Sequence, residues 1–280
     1  MSPEANGKTP LPPNFEFVPP RNDEQSVETF MAQWDDRCGL TTEQFGQMWS
    51  ISADNLGDEY PYHNAEHSRE NLWVAMEWVD FFETVGLNCN RKVVIGAVMY
   101  HDDGYHVDHS DLGYETKEDY SAARFAKDSE LYDYTGDEVI LGIEAIKATT
   151  RGEMPRSPEA LAVVLGDLWN VGASFNKYFL PKTLAFADET KTKVIGLGKN
   201  FSDSEFVKES ISTLTDYVWA LENQTICNID SFLNPAVDNL RQLVRRAANE
   251  DHISVNSYLS ALNENIKNRL TKLLGRHTRS

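Results

Sequence analysis

The stretch HNAEHSRENLWVAMEWVDFF, residues 63–82, decides the fold class. Leu72, Met76, Val79 and Phe82 recur at the three-four step of an α-helix, with Tyr62 or Asn64 near its start. Working outward, SVETFMAQWDDRCG (26–39) has helical apolar spacing and a glycine stop. TTEQFGQMWSISADNLGD (41–58) opens on a threonine cap signal and also ends at glycine. Downstream, RKVVIGAVMYHD (91–102) is almost wholly apolar, which predicts a short helix buried on most sides. Residues 105–115 read as a polar loop. TKEDYSAARFAK (116–127), TGDEVILGIEAIKATT (135–150) and SPEALAVVLGDLWNVGASF (157–175) predict three further helices. PAVDNLRQLVRRAANE (235–250) and SYLSALNENIKNRLTKLL (257–274) are amphipathic. No alternating β pattern of any length interrupts them, so the expected class is all-α, without an internal repeat.

Composition narrows the partners. A net charge of −18 over 280 residues argues against nucleic acid or an anionic membrane. Three scattered cysteines without CxxC spacing, and no long apolar run, suggest reduced thiols in a cytoplasmic protein. Residues 1–24 are proline-rich and aperiodic and read as an extended arm. Residues 25–180 then form the expected site-bearing helical domain. Residues 181–280 form a C-terminal helical extension that packs on it, caps it or supplies a homodimer face.

Five of the seven histidines lie between His63 and His109. His63 and His67, four apart on a helix, project from one face about a turn from each other. His101 and Asp102 end the buried 91–102 helix. Asp167 lies inside LAVVLGDLWNVGA, a run that otherwise reads as core. A buried carboxylate is costly unless it is paired or coordinates a cation. One divalent ion held by imidazoles and carboxylates would satisfy these groups together, and Zn, Mn, Co and Fe accept such mixed ligand sets.

This order of motifs resembles the HD superfamily of metal-dependent phosphohydrolases. YHNAEH (62–67) is similar to the YHNxxH signature of its cyclic-nucleotide phosphodiesterase branch. YHDDGY followed by KEDYSA is similar to the HDxxY and NEExSA elements of small bacterial members. The resemblance spans about Tyr62 to Asn170 and implies an HD-type helical bundle with additional C-terminal helices. It implies that His67, His101, Asp102 and Asp167 ligate a first metal ion and that Asp102 bridges to a second, more hydrated one, the ions being drawn from Zn, Mn, Mg, Co or Fe. It also implies that His63 protonates the leaving oxygen and that Glu118 orients the attacking water. Asn64 matches the signature's asparagine, whose job is to hold helix geometry, and it also counts among the substrate-binding candidates. The pattern departs at Tyr105, where the phosphodiesterases carry another histidine.

The expected chemistry is hydrolysis of a small phosphorylated substrate, a nucleotide or cyclic nucleotide, with one or two divalent ions as cofactors. His63 at its ordinary pKa would donate near neutrality. His106 in the polar loop, and Lys147 and Arg151 in IKATTRGEMPR, are candidates for phosphate binding, although cations at a helix C-terminus also suit its dipole. Trp73, Trp78 and Trp169 fall on apolar faces and read as core. The alternatives are a di-iron oxygenase on the same scaffold, which would draw extra ligands from His106 or His109, and a nucleotide-sensing protein without turnover.

Overall fold

Asn64 turns its side-chain oxygen onto the His67 amide at 3.1 Å, and the chain enters its central helix there. The computed structural model describes residues 23–34, 37–56, 60–196 and 203–276. The arm expected over residues 1–24 lies outside these, except for its last two positions, which open the first helix. In chain order the helices are α1 (Asp23–Trp34), α2 (Thr42–Leu56), α3 (Ala65–Thr84), α4 (Arg91–Tyr100), α5 (Lys117–Asp128) and α6 (Gly136–Lys147). There follow α7 (Pro158–Asp167), α8 (Leu180–Gly196), α9 (Asp203–Glu222), α10 (Asp230–Glu250), α11 (Val255–Ser260) and α12 (Glu264–Arg276). No strand occurs among the described residues, and the fold is all-α.

Local sequence sets most of these starts. Asn90, Thr116 and Ser157 each cap the helix that follows them, and Thr135 forms a reciprocal capping box with Glu138. The apolar α4 is buried along almost its whole length between α3, α6 and α7. Its one charged buried residue, Arg91, is held by Asp80 and Glu83 of α3, at 2.5 Å each. Trp73, Trp78 and Trp169 are core residues, each at most 3 % exposed.

α3 and α7 press together at Gly166, where a β-carbon would stand 2.6 Å from the Asn71 carbonyl oxygen and 2.9 Å from the Ala75 β-carbon. Only a residue without a β-carbon allows this crossing, and it places Asp167 beside His67.

Three boundaries differ from the sequence expectation. The helix expected over 157–175 ends at Asp167, and Trp169–Gly172 tighten into a 3-10 turn. Buried Asn239 of α10 donates to the Val171 and Ala173 oxygens at 2.9 and 2.7 Å, and so takes carbonyls that a continued helix would have used. α10 starts at Asp230, ahead of Pro235, because Phe232 and Leu233 are drawn into the core. The segment 257–274 is two helices, broken where the Asn263 side chain accepts from the Asn265 amide.

Candidate metal centre

Three helices deliver four donors to one point. His67 lies in the first turn of α3, His101 caps α4 with Asp102 directly after it, and Asp167 ends α7. Their ligand atoms all lie within 4.8 Å of one another. His67 Nε2 is 3.5 Å from Asp102 Oδ2 and 3.3 Å from Asp167 Oδ1, while His101 Nε2 is 3.0 and 3.4 Å from the same two oxygens. Metal bonds of about 2.1 Å place neighbouring donors roughly 3.0–3.4 Å apart, so these separations suit a single divalent ion. Asp102 Oδ2 is buried with no hydrogen-bond donor aligned on it. His101 Nδ1 is 2.7 Å from the Val98 carbonyl, the contact that aims Nε2 at the centre and fixes the tautomer a metal ligand needs. Asn71, fully buried one turn beyond His67, forms the floor. Its amide nitrogen donates to the His67 and Gly166 oxygens, both at 3.1 Å, and its oxygen faces His67 Nε2 at 3.0 Å.

The metal-free cluster is an ion-pair network. Burial lowers the His101 imidazole pKa, but Asp102 and Asp167 outweigh that and raise it to about 10. His67 is raised for the same reasons. Burial pushes both carboxyls upward. His101 and Lys117 nonetheless hold Asp102 well below the ordinary range, and His101 and His67 do so for Asp167. A binding cation therefore competes with protons on the imidazoles.

A cavity of about 170 Å³ opens onto Asp102 and Asp167. His63 lies on its wall, its Nδ1 2.7 Å from Glu189 Oε1. Glu189, from α8, is 2 % exposed. It also accepts from the Tyr62 and His63 amides at 3.0 and 2.9 Å and from the Tyr105 hydroxyl. Tyr105 stacks on the His63 ring at 3.5 Å. Two lysines line the same cavity. Lys117 Nζ donates to Asp102 Oδ1 at 2.6 Å, and Lys182 Nζ lies 2.6 Å from Glu70 of α3. Burial lowers the Lys117 pKa, but Asp102, Glu118 and Asp167 outweigh it and keep the amine charged.

The His63 imidazole is not at its ordinary pKa. Burial depresses it to about 4, against the opposing pull of Asp102 and Glu189, so at neutral pH it is uncharged in the free protein. Four other expectations are also corrected. Asn64 holds helix geometry as expected but does not line the cavity, because its oxygen caps α3 and its nitrogen donates to the Tyr60 carbonyl at 2.8 Å. Lys147 pairs with Asp119 at 2.7 Å, and Arg151 with Glu209 and Asp216 at 2.5 and 2.9 Å; neither lines the cavity. His106 stacks on Tyr60 at 3.5 Å, with Nε2 3.3 Å from the His63 carbonyl, and does not join the donor group. Glu118 is buried in the first turn of α5, with Oε1 3.4 Å from Lys117 Nζ.

Sequence reasoning missed Glu189, Asn71, Lys117 and Lys182. Asn71 carried a faint signal, an amide one turn after His67 on an otherwise apolar face. Glu189 and Lys117 sit among charged neighbours, and Lys182 in FLPKTLAF has no spacing that ties it to the histidines.

Neither models of known protein families nor curated proteins match this chain. The site therefore defines a class of centre rather than a family: a buried two-histidine, two-carboxylate group able to hold a metal ion, at the base of a cavity. No helix among the described residues is long and apolar enough to cross a membrane.

Proposed function

We propose that the chain is an HD-type, metal-dependent hydrolase of phosphoester bonds acting on a small nucleotide-like substrate. The observation that carries this reading is the meeting, on one cavity, of the two carboxylates of the four-donor group, two lysines and a carboxylate-braced histidine. In a protein of net charge −18, two ammonium groups lining one cavity mark a place for an anion. His67, His101, Asp102 and Asp167 would hold a divalent ion, which supplies an acidified water and neutralises charge on phosphoryl oxygens.

The chain's own residues account for the rest. Tyr62, Phe186 and Tyr217 give the cavity an aromatic wall that suits a planar leaving group. Glu189 fixes the His63 ring through Nδ1 and leaves Nε2 for the cavity. Burial keeps His63 neutral in the free protein, and a bound phosphate opposes that effect and favours its protonation. As water forms the new P–O bond and the ester P–O bond breaks, His63 gives its proton to the departing alkoxide.

The oxygenase alternative needs further imidazoles at the centre. His106 is stacked on Tyr60 instead.

The test pairs two variants with metal analysis and a panel of phosphomonoesters, phosphodiesters and cyclic nucleotides. His67→Ala should lose metal and turnover together. His63→Ala should keep metal while turnover falls by roughly two to four orders of magnitude. Metal-loaded protein that cleaves no member of the panel, or equal metal loss in the two variants, refutes the reading.

A further inference from the structure

Asp102 divides its two oxygens between different cations. Oδ2 faces the imidazoles of the donor group, while Oδ1 receives the Lys117 ammonium at 2.6 Å. A second metal ion bridged by Asp102 would need Oδ1, and so would have to displace that ammonium. Glu118 is drawn to the same ammonium at 3.4 Å, so Lys117 engages two neighbouring carboxylates at once.

The position of Lys117 is unusual for a helix. It is the first residue of α5, where the helix dipole favours anions and disfavours a cation. Helix stability therefore does not explain it. The backbone at this point is also tightly seated. A β-carbon on Gly104, two residues after Asp102, would stand 2.6 Å from the Lys117 carbonyl oxygen, so the turn carrying Asp102 and the start of α5 are pressed together. The Lys117 side chain lines the cavity beside Asp102 and Asp167.

We propose that Lys117 acts as a built-in second cation: the centre takes one metal ion, and an anionic phosphoryl group binds between that ion and the Lys117 ammonium. This deepens the hydrolase reading and rests on it. A fixed ammonium supplies charge to a phosphoryl oxygen without an exchangeable ion and without a second activated water. Only the ion held by His67, His101, Asp102 and Asp167 then has to be acquired from solution.

The experiment uses the full chain loaded with Mn²⁺, desalted, and measured by elemental analysis and electron paramagnetic resonance. Inorganic phosphate is then titrated calorimetrically into wild type, Lys117→Met and Lys117→Arg. One Mn²⁺ per chain with no spin-coupled signal is expected. Phosphate affinity should fall at least about tenfold in Lys117→Met and be largely restored in Lys117→Arg, which keeps the charge. Loss in Lys117→Met with thermal stability and Mn²⁺ content retained separates anion binding from misfolding. Two spin-coupled ions in wild type, or phosphate binding in Lys117→Met within twofold of wild type, overturns the proposal and leaves the metal centre standing. Failure of wild type to hold any Mn²⁺ overturns the hydrolase reading and this inference together.

Discussion

Gly166→Ala tests whether the α3–α7 crossing sets the metal centre. The new β-carbon would lie 2.6 Å from the Asn71 oxygen and 2.9 Å from the Ala75 β-carbon. Ordinary contacts at such atoms are about 3.3–3.6 Å, so the helices must part by roughly 0.7 Å. Overpacking of this kind costs about 1–3 kcal/mol, while the glycine-to-alanine gain in helix propensity, ~1 kcal/mol at most in a helix interior, is smaller in the last turn of α7. The net loss of stability is therefore small, and melting of the metal-free protein should fall by no more than several degrees. The centre is less forgiving. A displacement of roughly 0.7 Å between Asp167 and His67 exceeds the ~0.2 Å tolerance of metal–ligand distances, and affinity should drop by about 100-fold or more. Gly46→Ala in α2, where nothing lies within 4 Å of the added carbon, is the control. It should be as stable as wild type or better, with unchanged metal affinity. Thermal unfolding in chelator and calorimetric Zn²⁺ titration read the two effects separately. Metal affinity in Gly166→Ala within threefold of wild type would refute the claim that this crossing positions the ligands.

Three other outcomes follow from the same geometry. Glu189→Gln turns an amide toward at least one of the buried donors that the carboxylate now accepts. It should cost about 1–3 kcal/mol in denaturant unfolding and lower kcat by roughly 10–100-fold with metal content unchanged; metal loss would count against its assigned place. Because the His101 pKa rises from 6.5 to about 10 on folding, its ion pairs stabilise the metal-free protein fully below about 6.5 and are lost as pH rises through about 10. In that window metal must displace the His101 proton, so affinity should climb about tenfold per pH unit between pH 7 and 9, and a flat profile would exclude the ion-paired cluster. Asn239→Ala removes both donors to the turn after Asp167 and should cost about 1–3 kcal/mol in chemical denaturation, whereas a change below half that would make the bracing incidental.

Three of the four donors were legible because each is chemically out of place in its run, and His67 because it stands one helical turn from His63. A carboxylate inside LAVVLGDLWNVGA, or a His-Asp doublet closing an apolar helix, is expensive without a partner. The all-α class was legible from the 3.6 periodicity of the same runs. Glu189 was not, because it lies 126 residues from His63 within ADETKTK, where nothing separates it from Asp188. Lys117 was hidden in the same way, beside Glu118 at a helix start. Its one signal was electrostatic, a cation at the wrong end of a helix dipole. Lys147 and Arg151 misled because nearby carboxylates claim them once the chain is folded. Pairing across long sequence separations is a property of the fold, and local pattern does not carry it.

The cavity has two sources in the chain. One part of its lining, including Asp102 and Asp167, comes from residues up to Val171, and the other from Lys182 to Tyr217 on α8 and α9. On the proposed hydrolase reading, the metal-holding residues and most of the substrate-selecting ones would come from separate stretches of the polypeptide. Positions such as Thr183, Phe186, Thr213 and Leu214 can be varied to retune which molecule is admitted, while the donor group beneath keeps its ligands, its floor and its helix crossing. Two residues of α8 stand apart: Glu189 braces His63, and Lys182 brings one of the two ammonium groups to the cavity, so a library built on α8 has to hold both positions fixed.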